Sequence, residues 1–175
     1  FAVLTHAIPS RSTMQKVGVF YGYGKKSDDS PETPIVVKGV FLDGELGSGN
    51  ESEFLIHEEL HHDYIVPLLD VTREPCTGGY ILFLFLQFAS LGPLQRNYEL
   101  FSTHMAKLRL LRSIAEALAY MHDAGFVHRD IKPQNVILFS VIHPVLCDFG
   151  SASTLGDAND NIQGSPLYLA PETTS

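Results

Sequence analysis

Cysteine is nearly absent: Cys76 and Cys147 are the only two in the 175 residues. They stand far apart, which excludes a disulfide framework and fits a reducing, intracellular compartment, cytoplasmic or nuclear. Positive charge is also short, with 12 Lys and Arg against 20 Asp and Glu and a formal net charge of −8. A surface of that sign offers no electrostatic footprint for nucleic acid or a membrane. No apolar run is long enough to span a bilayer, which takes about 20 residues. The longest, Tyr80-Ile-Leu-Phe-Leu-Phe-Leu86, reads as a strand buried on both faces. Residues 1–10 lack the charged start and apolar core of a signal peptide. There is no internal repeat and no low-complexity tract. The chain opens on Phe1 and not on Met, which reads as a fragment or an excised domain.

What is present is globular: 45% of residues are hydrophobic and 18% charged, enough for one medium domain or two small lobes. Residues 1–40 alternate apolar and polar, rich in β-branched and aromatic side chains, and predict short strands joined by a polar loop at 27–34. A loop at 43–50 precedes a short helix over 51–60. The segments "YIVPLLDV" and "GGYILFLFLQF" predict two further strands. After a break at "ASLGP" the period turns helical from Phe101 to Ala124. Met105, Leu108, Leu111, Ala115, Leu118 and Met121 recur at three and four, which predicts a core-facing stripe, and Gly125 supplies a stop. Short strand-like pieces, "NVILF" and "PVLCDF", and a polar stretch follow. Strands with one helix, then a break near residue 90, then helix and loops predict an α+β chain of two lobes.

One motif points to zinc. His57-Glu58-Glu59-Leu60-His61 is an H-E-x-x-H, which on a helix stacks two histidines with a glutamate beside them. No downstream segment supplies a plausible third ligand, so a zinc metalloprotease stays a remote alternative.

The second half carries a denser constellation. Val127-His-Arg-Asp-Ile-Lys-Pro-Gln-Asn-Val136 follows the long helix, then Asp148-Phe-Gly150, then Ala170-Pro-Glu172. Together these resemble the catalytic loop, the metal-binding D-F-G and the A-P-E of eukaryotic-type protein kinases. The resemblance implies that fold: residues 1–89 an N-lobe of antiparallel sheet plus one helix with the hinge strand, and 90–175 a partial, mostly helical C-lobe, truncated after A-P-E. It implies ATP and Mg2+ as cofactors, with Asp130 taking or orienting the acceptor hydroxyl's proton and Lys132 neutralising phosphate charge. Asn135 and Asp148 would hold the metal, and Gly150 would let the chain turn. Lys132-Pro133 and Gly164-Ser-Pro-Leu-Tyr-Leu-Ala-Pro-Glu172 resemble the serine/threonine branch, so the implied partner is a protein with Ser or Thr acceptors.

In the first half, Ile35-Val-Val-Lys38 resembles V-A-x-K. Lys38 would reach the ATP phosphates, paired with Glu53 or, in a shifted helix register, Glu51. Val17, Val36 and Ile137 would line the base pocket, with Leu86 guarding its back. The backbone of Gln87 and Ala89 would bond adenine. The phosphate loop departs from the family: Ser10, Ser12 and Gln15 replace all three glycines of G-x-G-x-x-G. Because glycine lets a backbone approach phosphate, weaker or slower ATP use follows. A pseudokinase, binding nucleotide or scaffolding partners, is therefore the alternative to a serine/threonine kinase.

His57 takes the place one turn after Glu53, packing toward Phe149 and His128. A core histidine with a satisfied hydrogen bond is favoured there over a pH-sensitive one. The activation segment offers Ser151, Ser153 and Thr154 as phosphosites. Asp160 is placed either to stand in for an activating phosphate beside Arg129 or as a solvated loop residue, and Ser165 to bond near Asp130 and Lys132. Cys147 faces the ATP site or packs as a small hydrophobe. Subfamily, pathway and oligomeric state are not legible.

Overall fold

The computed structural model describes residues 3–8, 16–25, 29–43, 52–156 and 164–171, with backbone alone for 3–8, 16 and 17. Of the loop expected at 43–50, Asp43 ends a strand and 44–50 lie outside the described residues, as do Glu51, the serines and glutamine at 10, 12 and 15, and Asp160. Contacts divide the chain into two units, 1–51 with 67–88 and 52–66 with 89–175. The second unit takes in 52–66, which the sequence division at residue 89 groups with the first half.

The first unit is a five-stranded antiparallel sheet. Its strands are β1 (Val3–Ile8), β2 (Lys16–Gly24), β3 (Thr33–Asp43), β4 (Leu68–Cys76) and β5 (Gly79–Gln87), in the order β1-β2-β3-β5-β4. β3 is central because its β-branched run, Ile35-Val-Val, packs well on a pleated, half-buried surface. β4 and β5 meet at a two-residue turn, where Gly78 takes φ +86°, a conformation that favours glycine. β5 was expected to be buried on both faces. Instead Tyr80, Leu82 and Leu84 are buried while Ile81, Phe83 and Phe85 are half-exposed. A continuous apolar run hides the period of two, and here one face of the strand is only partly covered.

The second unit contains α1 (Ser52–Glu59), β6 (Gly92–Pro93), α2 (His104–Asp123), β7 (Phe126–Val127), β8 (Val136–Ser140), β9 (His143–Leu146) and β10 (Ser153–Thr154). Single 3-10 turns lie at Leu94–Arg96, Tyr98–Phe101, Pro133–Asn135 and Pro166–Tyr168. Strands β6, β8 and β9 form one small sheet, and β7 and β10 another. Thr103 caps α2, its hydroxyl accepting from the Ala106 amide at 3.1 Å. The expected stop holds: Gly125 takes φ +84° and its amide returns to the His122 carbonyl at 3.0 Å.

The expected core stripe of α2 is wrong for most of its length. Met105 is 58% exposed, Leu108 45% and Leu111 64%. Ala115 is also exposed, and only Met121 of the six is fully buried. The packed face is Ser113, Ala117 and Met121, spaced by four, and it lies against β7 and β9. Small residues let the helix approach the strands closely. Ser113 is masked in a hydrophobicity pattern but satisfies its hydroxyl within the helix, donating to the Arg109 carbonyl at 3.1 Å.

Candidate functional site

The second unit concentrates polar contacts on Asp130. Its side chain is 11% exposed, and Lys132 Nζ lies 2.5 Å from its Oδ2. Asn135 Nδ2 donates to the same oxygen at 3.0 Å and to the Asp130 carbonyl at 2.8 Å. The other oxygen, Oδ1, accepts from the amide and hydroxyl of Ser165, each at 2.9 Å. Lys132 Nζ donates to Ser165 Oγ at 2.7 Å, closing a ring of three side chains. The expected placement of Ser165 beside Asp130 and Lys132 is thus what the structure shows. Burial pushes the Asp130 carboxyl up, but the bonds from Lys132 and Ser165 outweigh it and hold the group below its ordinary value. A buried carboxylate this well supplied with donors stays charged.

Local backbone builds this ring. The turn Pro133–Asn135 begins on Pro133, whose fixed φ suits a tight helical start, and the Asn135 amide donates to the Lys132 carbonyl at 2.9 Å. Arg129 takes φ +65° and Asp148 φ +66°, strained values for non-glycine residues. Such strain persists where surrounding bonds over-determine it. His128, 2% exposed, provides them: Nε2 bonds the Cys147 carbonyl at 3.2 Å and Nδ1 accepts the Asp130 amide at 3.3 Å. The ring is therefore neutral on Nδ1, and burial lowers its pKa further. The Cys147 amide in turn donates to the Asn135 carbonyl at 2.9 Å, tying Asp148 to the loop.

Gly150 was expected to permit a turn. Its φ is not among the positive ones, and the left-handed step falls on Asp148 instead. Space explains the glycine: a Cβ there would lie 3.1 Å from Glu53 Oε2 and 3.4 Å from Asp148 Oδ1. Glu53, half-buried on α1, and Asp148 thus flank Gly150 with their carboxylates. One turn along α1, His57 is 3% exposed, with Nε2 2.8 Å from the Val66 carbonyl and its ring 4.6 Å from that of Phe149. Phe149 contacts His128 in turn at 5.3 Å. His57 is the satisfied core histidine.

The zinc alternative loses its geometry. α1 ends at Glu59, so His61 lies past the helix, where its amide donates to the Tyr120 hydroxyl at 3.0 Å. Among the described residues no group of three or more His, Cys, Asp or Glu could hold a metal.

In the first unit, Lys38 is buried on β3, opposite Leu84 of β5 and Val19 of β2. Val36 and Leu86 are direct cross-strand partners. Since residues two apart on a strand share a face, Val36, Lys38, Leu84 and Leu86 lie on the same side of the sheet. Val17 falls where the β2–β3 register shifts, between Lys16 and Gly18. The Gln87 amide donates to the Pro67 carbonyl at 3.2 Å. In the second unit, Ala89 is buried with its carbonyl accepting from Gly92, and Ile137 sits half-exposed on β8 opposite Val145. Ser151 and Ser153 are half-exposed and Thr154 exposed. Cys147 is half-buried, and both cysteines are free thiols.

Sequence reasoning included Gly164 in a motif but assigned it no role of its own. It takes φ +108°, and a Cβ would lie 2.5 Å from the Arg129 carbonyl oxygen. Its place directly before Ser165 was the available signal.

A protein-family model described as Protein kinase domain matches residues 27–175. The chain belongs to the protein kinase family. Among the relatives of this kinase domain, Serine/threonine-protein kinase ATG1 of Pichia angusta is 31% identical over 89% of the chain and 25% of that protein. The cAMP-dependent protein kinase, catalytic subunit-like, of Caenorhabditis briggsae is 34% identical over 71% of the chain and 31% of that protein. The kinase domain described here spans less than a third of the length of either relative. The family is of the eukaryotic serine/threonine type, and its members use ATP and a divalent metal. No helix among the described residues is long and apolar enough to cross a membrane.

Proposed function

We propose that this chain is the catalytic part of a serine/threonine protein kinase, transferring the γ-phosphoryl group of ATP to protein hydroxyls. The observation that carries this reading is the anionic Asp130, held at Oδ2 by Lys132 and Asn135 and at Oδ1 by Ser165. In this reading Asp130 accepts the acceptor hydroxyl's proton and aligns its oxygen, and Lys132 neutralises charge on the moving phosphate.

Asn135 spends its amide nitrogen on Asp130, so its side-chain oxygen, an atom type suited to a hard cation, is the one assigned to the metal. Asp148 adds a carboxylate beside Gly150, where the missing Cβ keeps the approach open. These two residues fit Mg2+, which when bound to ATP supplies charge neutralisation between the phosphates. Lys38 is assigned to the phosphates and Glu53 to orienting it. Val17, Val36, Leu86 and Ile137 are assigned to the base, with the Gln87 carbonyl and the Ala89 amide as its backbone partners. The two lobes are assigned to residues 1–89 and 90–175, although contacts group 52–66 with the second unit. Two free cysteines and a net charge of −8 support an intracellular protein, cytoplasmic or nuclear, that binds no nucleic acid or membrane.

A pseudokinase is the second reading, favoured by Ser10, Ser12 and Gln15 in place of phosphate-loop glycines. The test is transfer from labelled Mg-ATP to matched Ser, Thr and Tyr peptides by the intact protein. Label on Ser and Thr but not Tyr supports the proposal. A folded protein that binds Mg-ATP and labels no peptide puts the pseudokinase first.

A further inference from the structure

We propose that the half-exposed face of the five-stranded sheet docks a basic amphipathic helix of a partner protein. An antiparallel sheet that leaves one face to water commonly carries polar residues there. The central strands of this sheet do not. The less covered face of β5 carries Ile81, Phe83 and Phe85, all half-exposed. Phe41 of β3 lies opposite Ile81, and Phe20 of β2 joins the same face opposite Val37, the partner of Phe85. Phe20 and Phe41 are half-exposed as well. Aromatic side chains are enriched at protein interfaces, and here paired strands hold them in place.

The edge of this face supplies charge of one sign. β4 is the outermost strand. Asp70 pairs with Phe85, Thr72 with Phe83 and Glu74 with Ile81, so each row of the face ends in an exposed polar residue, two of them carboxylates. The one cation of β4, Arg73, pairs with Leu82 and so belongs to the other face. The period of two thus sorts the charges of the strand and leaves the docking face an acidic rim.

Dimensions and sign select the occupant. Alternate residues of β5 are about 7 Å apart, and Asp70 and Glu74 are about 13 Å apart along β4, at about 3.4 Å per residue. A helix rises about 1.5 Å per residue, so its positions i, i+4 and i+8 lie about 6 Å apart on one side. Apolar residues there meet Phe85, Phe83 and Ile81, and Lys or Arg on the adjoining flank meets Asp70 and Glu74. A second copy of this chain is a poorer occupant, because two chains of net charge −8 repel. Val36, Lys38 and Leu86 lie on the opposite face, so docking leaves the residues assigned to ATP clear and stands apart from the function proposed above.

The test measures binding of a fluorescein-labelled peptide of about 14 residues, four helical turns, to the intact protein by anisotropy. It carries Leu at i, i+4 and i+8, Lys along one flank and a staple on the far side, since short helices are marginal in water. One control scrambles the sequence and the other replaces every Lys by Glu. The basic helix should bind at least about tenfold more tightly than either control. Phe83→Thr, which keeps strand propensity, should weaken binding at least about tenfold. Asp70→Asn with Glu74→Gln should weaken it about fivefold at low salt and flatten its salt dependence. That pair is exposed, so it decides the matter even where Phe83→Thr fails to fold. Equal binding of the three peptides, or an unchanged affinity and salt dependence in the Asp70→Asn, Glu74→Gln protein, overturns the proposal. So does a protein that sediments as a dimer and becomes monomeric with Phe83→Thr, which gives the face to a second copy.

Discussion

Ser165→Ala should uncouple the ring around Asp130 without touching its charges. The substitution removes the hydroxyl that donates to Asp130 Oδ1 at 2.9 Å and accepts from Lys132 Nζ at 2.7 Å. The Ser165 amide still donates to Oδ1 at 2.9 Å. A hydrogen bond to a charged group contributes about 1.5–3 kcal/mol. The carboxylate is 11% exposed, so water replaces the lost donor poorly, while the remaining amide keeps the loss near the lower bound, about 1.5 kcal/mol. If that bond is about 1.4 kcal/mol stronger in the transition state than in the ground state, its loss slows transfer about tenfold. The acid limb of stability should move as well. A carboxyl held below its ordinary value contributes stability that is complete above about pH 4 and is lost as pH falls through the folded value. Without the Ser165 hydroxyl the Asp130 carboxyl rises, so that contribution shrinks. Urea unfolding midpoints from pH 7 to pH 3 for wild type, Ser165→Ala and Ser165→Thr measure this. Threonine keeps the hydroxyl and should stay within about 0.5 kcal/mol of wild type. An alanine variant with an unchanged midpoint at pH 7 and an unmoved acid limb would refute the reasoning.

Four further outcomes are expected. His128 is held neutral by burial, so its contribution is complete above about pH 6.5 and is lost on acidification; His128→Gln should flatten stability between pH 7 and pH 5 in denaturant titrations. His57→Leu leaves the Val66 carbonyl, which His57 bonds at 2.8 Å, without that donor and should cost about 1 kcal/mol; a thermal midpoint that holds or rises counts against that bond. Gly125→Ala meets no atom within 4 Å but must hold φ +84°, so it should cost about 1 kcal/mol through backbone strain alone. Glycine at positions 10, 12 and 15 together should tighten ATP binding by calorimetry, and unchanged affinity would remove the argument that the altered loop weakens nucleotide use.

The motifs were legible because phosphoryl-transfer chemistry fixes residue types at fixed spacing. Asp130, Lys132, Asn135 and Ser165 come together as the sequence predicts. Strand and helix positions were legible from period and turn residues: α1, α2 and the Gly125 stop lie within a few residues of expectation. Which face of α2 is buried was not. Its packed face uses Ser113 and Ala117, and hydrophobicity cannot separate a leucine that packs from one that stays exposed. H-E-x-x-H misleads for a related reason, since four residues mean one turn only while the helix lasts, and α1 stops at Glu59. Gly150 and Gly164 show a third limit. One is glycine for space beside two carboxylates and the other for φ and space together, a difference carried by neighbours distant in sequence.

The central claim is that Asp130 serves phosphoryl transfer. It is tested most directly by comparing wild type and Asp130→Asn for transfer of γ-phosphate from Mg-ATP to a serine/threonine substrate, with folding and ATP affinity measured in both. The account predicts transfer by wild type, a loss of at least about a hundredfold in the asparagine variant, and near-equal ATP affinity. Equal transfer by both proteins, or none by a folded wild type that binds Mg-ATP, would contradict it.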